Sequence, residues 1–421
     1  MSSTTCILLP SNEETWEKLP KANRGAGRPL PSWAKAVAVH LPRTAAAMLV
    51  LDHTHRTKSP IDPVLWAKMR WVIARENRCS YSQAYAIADL KRAGGASEVS
   101  VLTGPPEKWP ESDREPLEFA RLMTVDAPSI PDDLFQALRD RYGERVVAAM
   151  VLLAAYGNFL DRVVLGLHLP LEKDGPYSPL DVAFVDGALQ VAPVMPAQDG
   201  LPAPNGDGQN VVARTTEWSK ISFDELQTRL ERQRSRQPRL PVPKWEDIQG
   251  KLPPAMATHP TRIAWSLTAY GYAVELQVPW QIATRTMWSE LPGDRIFEES
   301  LFWIQTRAIQ CNYCMGHCEM LLEVAGLDKE AVADRTRHLA GDDWSVFPPQ
   351  EQRAYDYARR LSQQPWTLTC EDYATLEKDF GAAKAMSTFW WLCRGLYMTR
   401  ISDGFQLPLE RENVFAPPPK K

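Results

Sequence analysis

A chain of 421 residues, 44% hydrophobic and 24% charged, has ordinary globular composition and enough length for two cores. The net charge of −4 and the spread of Lys and Arg argue against nucleic acid, and no run of about 18 apolar residues marks a membrane span. The first residues lack a basic region followed by an apolar stretch and a cleavage site, so the cytoplasm is the expected location.

Residues 1–39 read as an N-terminal extension, and from 40 to 172 the pattern is helical. Ala93-Gly94 reads as a helix stop, with glycine supplying the left-handed cap. Leu117 to Leu122 has the spacing of an amphipathic helix face, Pro131-Asp132-Asp133 suits a helix start, and Val146 to Leu165 is apolar and too long for a strand, hence a buried helix. Residues 173–258 read as a linker. Pro and Gly interrupt it through Gly208, with a short hairpin expected near Val182 to Val191 and a charged helix over Phe223 to Gln237. From 259 to 412 the helical pattern resumes: Ala325-Gly326 is a second stop, Pro348-Pro349 a start, Tyr355 to Leu361 an amphipathic face, and Ala382 to Ile401 a second buried helix. Residues 413–421 form a frayed, Pro-rich tail.

These two stretches repeat each other. Cys79-Ser80-Tyr81 matches Cys311-Asn312-Tyr313, and Ala93-Gly94 matches Ala325-Gly326, both 232 residues apart. At an offset of 238, Ala120-Arg121 matches Ala358-Arg359, and Gly143, Arg162 and Gly166 match Gly381, Arg400 and Gly404. The series ends on Leu169-Pro170-Leu171-Glu172 against Leu407-Pro408-Leu409-Glu410. Ordered matches of this kind predict an all-α tandem duplication forming a pseudo-dimer.

Three of the seven cysteines fall in Cys311-Asn312-Tyr313-Cys314-Met315-Gly316-His317-Cys318. Cysteines three apart on a helix share a face and lie close enough for a disulfide, and a helix N-terminus favours the thiolate. Zinc is the rival for Cys311, Cys314, His317 and Cys318, but four ligands from one helix do not easily surround an ion. The sequence calls for no metal and no cofactor. Cys370 and Cys393 read as isolated core or surface thiols. His53, His55 and His259 read as solvated polar groups, Trp303, Trp390 and Trp391 as core, and Arg229, Arg232, Arg234 and Arg236 as a solvated face.

The segment Glu299 to His317 resembles the alkylhydroperoxidase D-like and carboxymuconolactone decarboxylase family. Members with a redox centre carry Cys-x-Tyr-Cys, a Glu twelve residues before the first Cys and a His four residues after the second. Cys311, Tyr313, Cys314 and Glu299 occupy those positions, whereas Cys318 stands at the histidine position and His317 comes one residue early. The resemblance covers about two-thirds of the chain, and the first copy is degenerate: Cys79 has Ser82 in place of a second cysteine, with Tyr85, Ala86 and Ala67 opposite His317, Cys318 and Glu299. It implies a thiol-dependent peroxidase or disulfide oxidoreductase, an enzyme of antioxidant type, in which Cys314 attacks, Cys311 resolves, and His317 with Glu299 manages protons. The expected partners are a hydroperoxide or disulfide substrate, a dithiol reductant and further copies of the chain, with no nucleic acid and no membrane.

Two further expectations accompany this one. Twelve residues of unbroken helix put Glu299 ~18 Å from Cys311, so the chain must break between them for both to join one site, and no Gly or Pro announces the break. The alternative functions are a decarboxylase-like reaction on a lactone or small carboxylate, and a non-enzymatic metal-binding or thiol-sensing module.

Overall fold

The helical reading is realised throughout. A computed structural model describes residues 5–185, 187–189 and 218–416. The first half comprises α1 (Asn12–Lys18), α2 (Ser32–Ala38), α3 (Pro42–Thr57), α4 (Pro63–Glu76), α5 (Ser80–Arg92), the short α6 (Val99–Leu102), α7 (Glu111–Val125), α8 (Asp132–Tyr142) and α9 (Glu144–Gly166). Between the halves lie α10 (Phe223–Arg234), α11 (Trp245–Ile248) and α12 (Pro254–Ala257). The second half comprises α13 (Ala264–Glu290), α14 (Arg295–Ala308), α15 (Asn312–Val324), α16 (Lys329–Ala340), α17 (Pro349–Gln363), α18 (Cys370–Phe380) and α19 (Ala382–Gly404).

The sequence offsets recur in the backbone. Asp62 and Asp294, 232 apart, cap α4 and α14 through their side chains. Arg78 and Gln310 both take left-handed φ (56° and 61°) just before α5 and α15, and Gly94 and Gly326 close those helices at φ 92° and 107°. Gly143 and Gly381, at φ 79° and 80°, open α9 and α19. Even the break between α2 and α3 at Leu41 (φ −129°, ψ 62°) has its counterpart in a kink of α13 at Ala273 (φ −145°, ψ 54°). The correspondence therefore reaches back to Ser32, inside the stretch read as an extension.

The halves share one core. α9 packs along α19, and α13 lies across α3. Trp280 of α13 stacks on Tyr397 of α19, with Phe159 of α9 edge-on to it. Two buried arginines cross between the halves. Arg162 donates to the carbonyl of Ser362 (3.2 Å) and Arg400 to that of Thr124 (2.9 Å), each supplying a partner to the last turn of a helix in the other half. Among the described residues α9 alone is long and apolar enough to cross a membrane, and here 94% of that window is buried in the fold.

Several expectations need correction. Ala183–Phe184 (β2) pairs antiparallel with Ala22–Arg24 (β1), not within a hairpin over 182–191; residues 186 and 190–217 lie outside the described set. The charged helix α10 is not simply solvated: Leu226, Leu230 and Gln233 are buried, and Gln233 donates to Leu407 O at 2.7 Å. Cys370 is not an isolated thiol but is bonded to Cys6, 364 residues away, a separation at which no local pattern announces a pairing. His55 is fully buried and stacked on Tyr156, and burial beside Arg70 pulls its pKa down to about 3. Trp303, Trp390 and Trp391 are core residues as expected.

Candidate functional site

The break between Glu299 and Cys311 exists. α14 ends at Ala308, Gln310 turns the chain through left-handed backbone, and Cys311 becomes the N-cap of α15. Returning the chain this way sets α15 against α14 and brings Glu299 to the same cavity as Cys314 and His317. No glycine marks the turn, which is why the sequence conceals it.

Both cysteine thiols are buried, and they share one partner. The Ser402 Oγ lies 3.0 Å from Cys314 Sγ and 3.4 Å from Cys311 Sγ. The Ser402 hydroxyl donates to Met398 O at 2.9 Å, which leaves its oxygen to accept from the two thiols. Cys311 also lies within hydrogen-bonding contact of Cys314 and of Asp403. Its burial, with these neighbours, pushes its pKa well up, so desolvation outweighs the helix N-terminus there. Burial likewise lifts Asp403 to about 7.

His317 has a carboxylate partner, but not the expected one. Its Nε2 is 2.7 Å from Oε2 of Glu410, whose Oε1 accepts from the Tyr313 hydroxyl (2.9 Å) and the Ala264 backbone N–H (2.8 Å). Burial raises the Glu410 pKa, but His317 and the Ala264 N–H outweigh it and hold it below the usual carboxylate value. Glu299 instead faces Arg295 at 3.1 Å and the thiol of Cys318, and burial raises its pKa. Cys318 is pushed well up by burial and by Glu299. The histidine and the cysteine have thus divided between two carboxylates.

Cys314, His317 and Glu299 line a cavity of about 220 Å³. Five large aromatic side chains stand in its walls, Trp265, Trp280, Trp288, Phe302 and Phe415. Arg285, Arg295 and Arg394 also line it. Cys311 does not; it stands behind Cys314, against α19. Among the described residues no three His, Cys, Asp or Glu side chains gather as ligands for one ion.

The same place in the first half is closed. Trp33, Asp52, Arg56, Ser82, Tyr85 and Tyr156 stand at the positions of Trp265, Thr284, Trp288, Cys314, His317 and Arg394, and only about 20 Å³ remains between them and their neighbours. Arg56 pairs with Asp52 (3.1 Å) and Asp89 (2.9 Å), Tyr156 donates to Asp52 at 2.5 Å, and Arg70 pairs with Asp161. Cys79 contacts Ser82 at 3.4 Å where a second thiol stands in the other half, and burial lifts it to about 12. Glu172 repeats Glu410: it accepts from the hydroxyls of Tyr81 and Tyr85 (2.7 and 2.9 Å) and from the Ser32 N–H.

Sequence reasoning missed Ser402, Glu410, Arg295 and Arg394. For Glu410 a signal existed, since it closes the repeated Leu-Pro-Leu-Glu; for the others no motif marks the residue, and the cavity they face is assembled from helices distant in sequence.

Fold and site together define an all-α protein with a buried, cavity-facing cysteine beside a second thiol. No protein-family model matches the chain, and no curated protein is found similar to it.

Proposed function

We propose that the second half holds a thiol peroxidase or disulfide oxidoreductase centre of alkylhydroperoxidase D-like type, and that the chain is a tandem duplication whose first copy is degenerate. The observation that carries this reading is the ordering of the two thiols: Cys314 faces the cavity, Cys311 backs it, and one hydroxyl touches both.

In this reading His317, oriented by Glu410, takes the proton of Cys314. The thiolate attacks the terminal oxygen of a hydroperoxide, the O–O bond breaks, and the alkoxide leaves as alcohol with the proton from His317. Cys314 is then a sulfenic acid. The thiol of Cys311 passes its proton to Asp403, with which it is in contact, and attacks the sulfur. Hydroxide leaves as water with a proton supplied by Glu299, whose raised pKa favours the protonated carboxyl, and the two carboxyls regain their starting states by proton exchange with solvent. A dithiol reductant restores both thiols by exchange and is itself oxidised to a disulfide.

The test is a thiol count with peptide mapping, before and after one equivalent of an organic hydroperoxide. Rapid loss of two thiols, mapped to a Cys311–Cys314 bond and reversed by dithiol, is the expected result. Undiminished peroxide turnover in both Cys311→Ser and Cys314→Ser overturns the reading. Lactone turnover that survives alkylation of every thiol would replace it with the decarboxylase-like one.

A further inference from the structure

We infer that the cavity in front of Cys314 receives an apolar organic carboxylate, its anionic end on Arg394 and Arg295 and its hydrocarbon body against the tryptophans. For the reaction this rests on the thiol-centre reading, making the reducible substrate the hydroperoxide of an organic acid; for the binding it does not.

Size and walls set the body of the ligand. A dry apolar cavity of about 150 Å³ accommodates benzene, and this one, at about 220 Å³, has room for a substituted ring or a comparable branched chain. Trp265, Trp280, Trp288 and Phe302 offer flat apolar faces to such a body.

Charge sets its head. Arg394 is 8% exposed, lines the cavity, and makes no ion pair with any carboxylate among the described residues; its buried Nε has no hydrogen-bond partner. The guanidinium is held by ring faces, 4.3 Å from the Trp391 centroid and 5.2 Å from that of Trp288. Arg295, 5.1 Å from the same Trp288 centroid, meets Glu299 through Nη2 but leaves Nε and Nη1 without partners. The acids facing this pair are Glu298 and Glu299; burial raises both and brings Glu298 to about 7. Burial lowers Arg394 to about 10, which leaves it charged at neutral pH. Arg285 lines the cavity as well, so three cations stand around it against two carboxyls that are themselves held toward neutrality.

The first half supplies the control. There the chain fills the cavity and brings its own anions: Asp52 and Asp89 for Arg56, Asp161 for Arg70. In the second half Thr284 and Leu321 stand where Asp52 and Asp89 would be, so the cavity is open and those two anions are missing, with Glu299 on Arg295 the carboxyl that remains on its wall. A buried cation without an anion is costly, and a ligand carboxylate restores the pairing through charge-assisted hydrogen bonds.

The experiment titrates the full chain by calorimetry with 4-isopropylbenzoate and its neutral isostere 4-isopropylbenzamide. The carboxylate should bind roughly 10- to 100-fold more tightly, as one or two charge-assisted hydrogen bonds predict. Arg394→Met should bring that ratio to within about threefold, and Arg394→Lys should keep part of it. Equal binding of the two ligands by the wild-type protein, or binding of neither, overturns the inference without any variant having to fold. Turnover of the matched pair 4-isopropylbenzoic acid hydroperoxide and cumene hydroperoxide separates the two readings. Carboxylate binding with neither peroxide reduced leaves the inference standing and removes the peroxidase. Reduction of both peroxides at equal kcat/KM, without a carboxylate preference in binding, does the reverse.

Discussion

One backbone plan holds two opposite solutions to the same interior. In the first half the space between α3, α5 and α9 is filled by Arg56, Tyr156 and their carboxylates, leaving about 20 Å³. In the second half Thr284, Trp288 and Leu321 replace Asp52, Arg56 and Asp89, and about 220 Å³ opens on Cys314. The carboxylate latch survives in both, Glu172 on Tyr81 and Tyr85, Glu410 on Tyr313 and His317. The latch is therefore part of the scaffold, and only the second half places an ionisable imidazole on it. The two halves treat buried charge differently: one is self-paired, the other keeps unpaired charge around a cavity lined by a single thiol, that of Cys314.

The largest expected contrast is in turnover. Cys314→Ser should lower peroxide reduction by about three orders of magnitude or more, as loss of a nucleophile does. Cys79→Ser should leave it within about twofold, because that thiol is buried and the matching space in its half is only about 20 Å³. Comparable losses in the two variants, measured by peroxide consumption under excess dithiol, would erase the distinction between the halves.

Next comes the stability of the filled site. Asp161→Ala leaves Arg70 buried without its carboxylate and should cost about 3–5 kcal/mol in urea unfolding. In the second half Glu299→Gln removes a carboxyl that burial already holds toward its neutral form, so its cost should be much smaller. Equal costs would mean that the two halves carry their buried charge alike.

A matched pair tests the latch itself. Glu410→Gln and Glu172→Gln each weaken equivalent hydrogen bonds, so their unfolding midpoints should fall by similar amounts. Only Glu410→Gln should also lower kcat, by about a hundredfold, and shift the pH–rate profile, since it alone orients an imidazole. A kcat loss that simply tracked the loss of stability in both variants would reduce Glu410 to scaffolding.

How far this comparison was legible in sequence depends on the range of the signal. Gly94 and Gly326 declare helix ends through a local backbone demand, and Val146 to Leu165 declares a buried helix through its own apolarity. The tetrapeptides at 169–172 and 407–410 expose the repeat because they are identical. The turn at Gln310 was hidden, since a non-glycine residue holds left-handed backbone there, as Arg78 does in the other half. The reassignment of His317 from Glu299 to Glu410 was hidden as well, because it joins residues 93 apart through tertiary packing. The open and filled cavities follow from side-chain volume and charge summed over several helices, which no single segment displays.

The smallest effect expected concerns pH, and it falls on the second half. Glu319 on α15 accepts from Gln227 (3.1 Å) and Trp303 (3.4 Å), yet its burial outweighs both and lifts its pKa to about 7. A carboxyl raised in the folded state binds its proton more tightly there than in the unfolded chain, so its contribution is fully present below the unfolded value near 4.5 and is lost as pH rises through about 7. Between pH 5.5 and 8.5 this should weaken folding by about 2 kcal/mol. Glu319→Gln keeps an oxygen for the two donors and removes the titration, so its unfolding free energy should change less over that interval. Urea titrations at the two pH values give the comparison: a slope as steep in the variant as in the wild type would show that this carboxyl is ionised in the fold at no cost, and that α10 does not seal it from water.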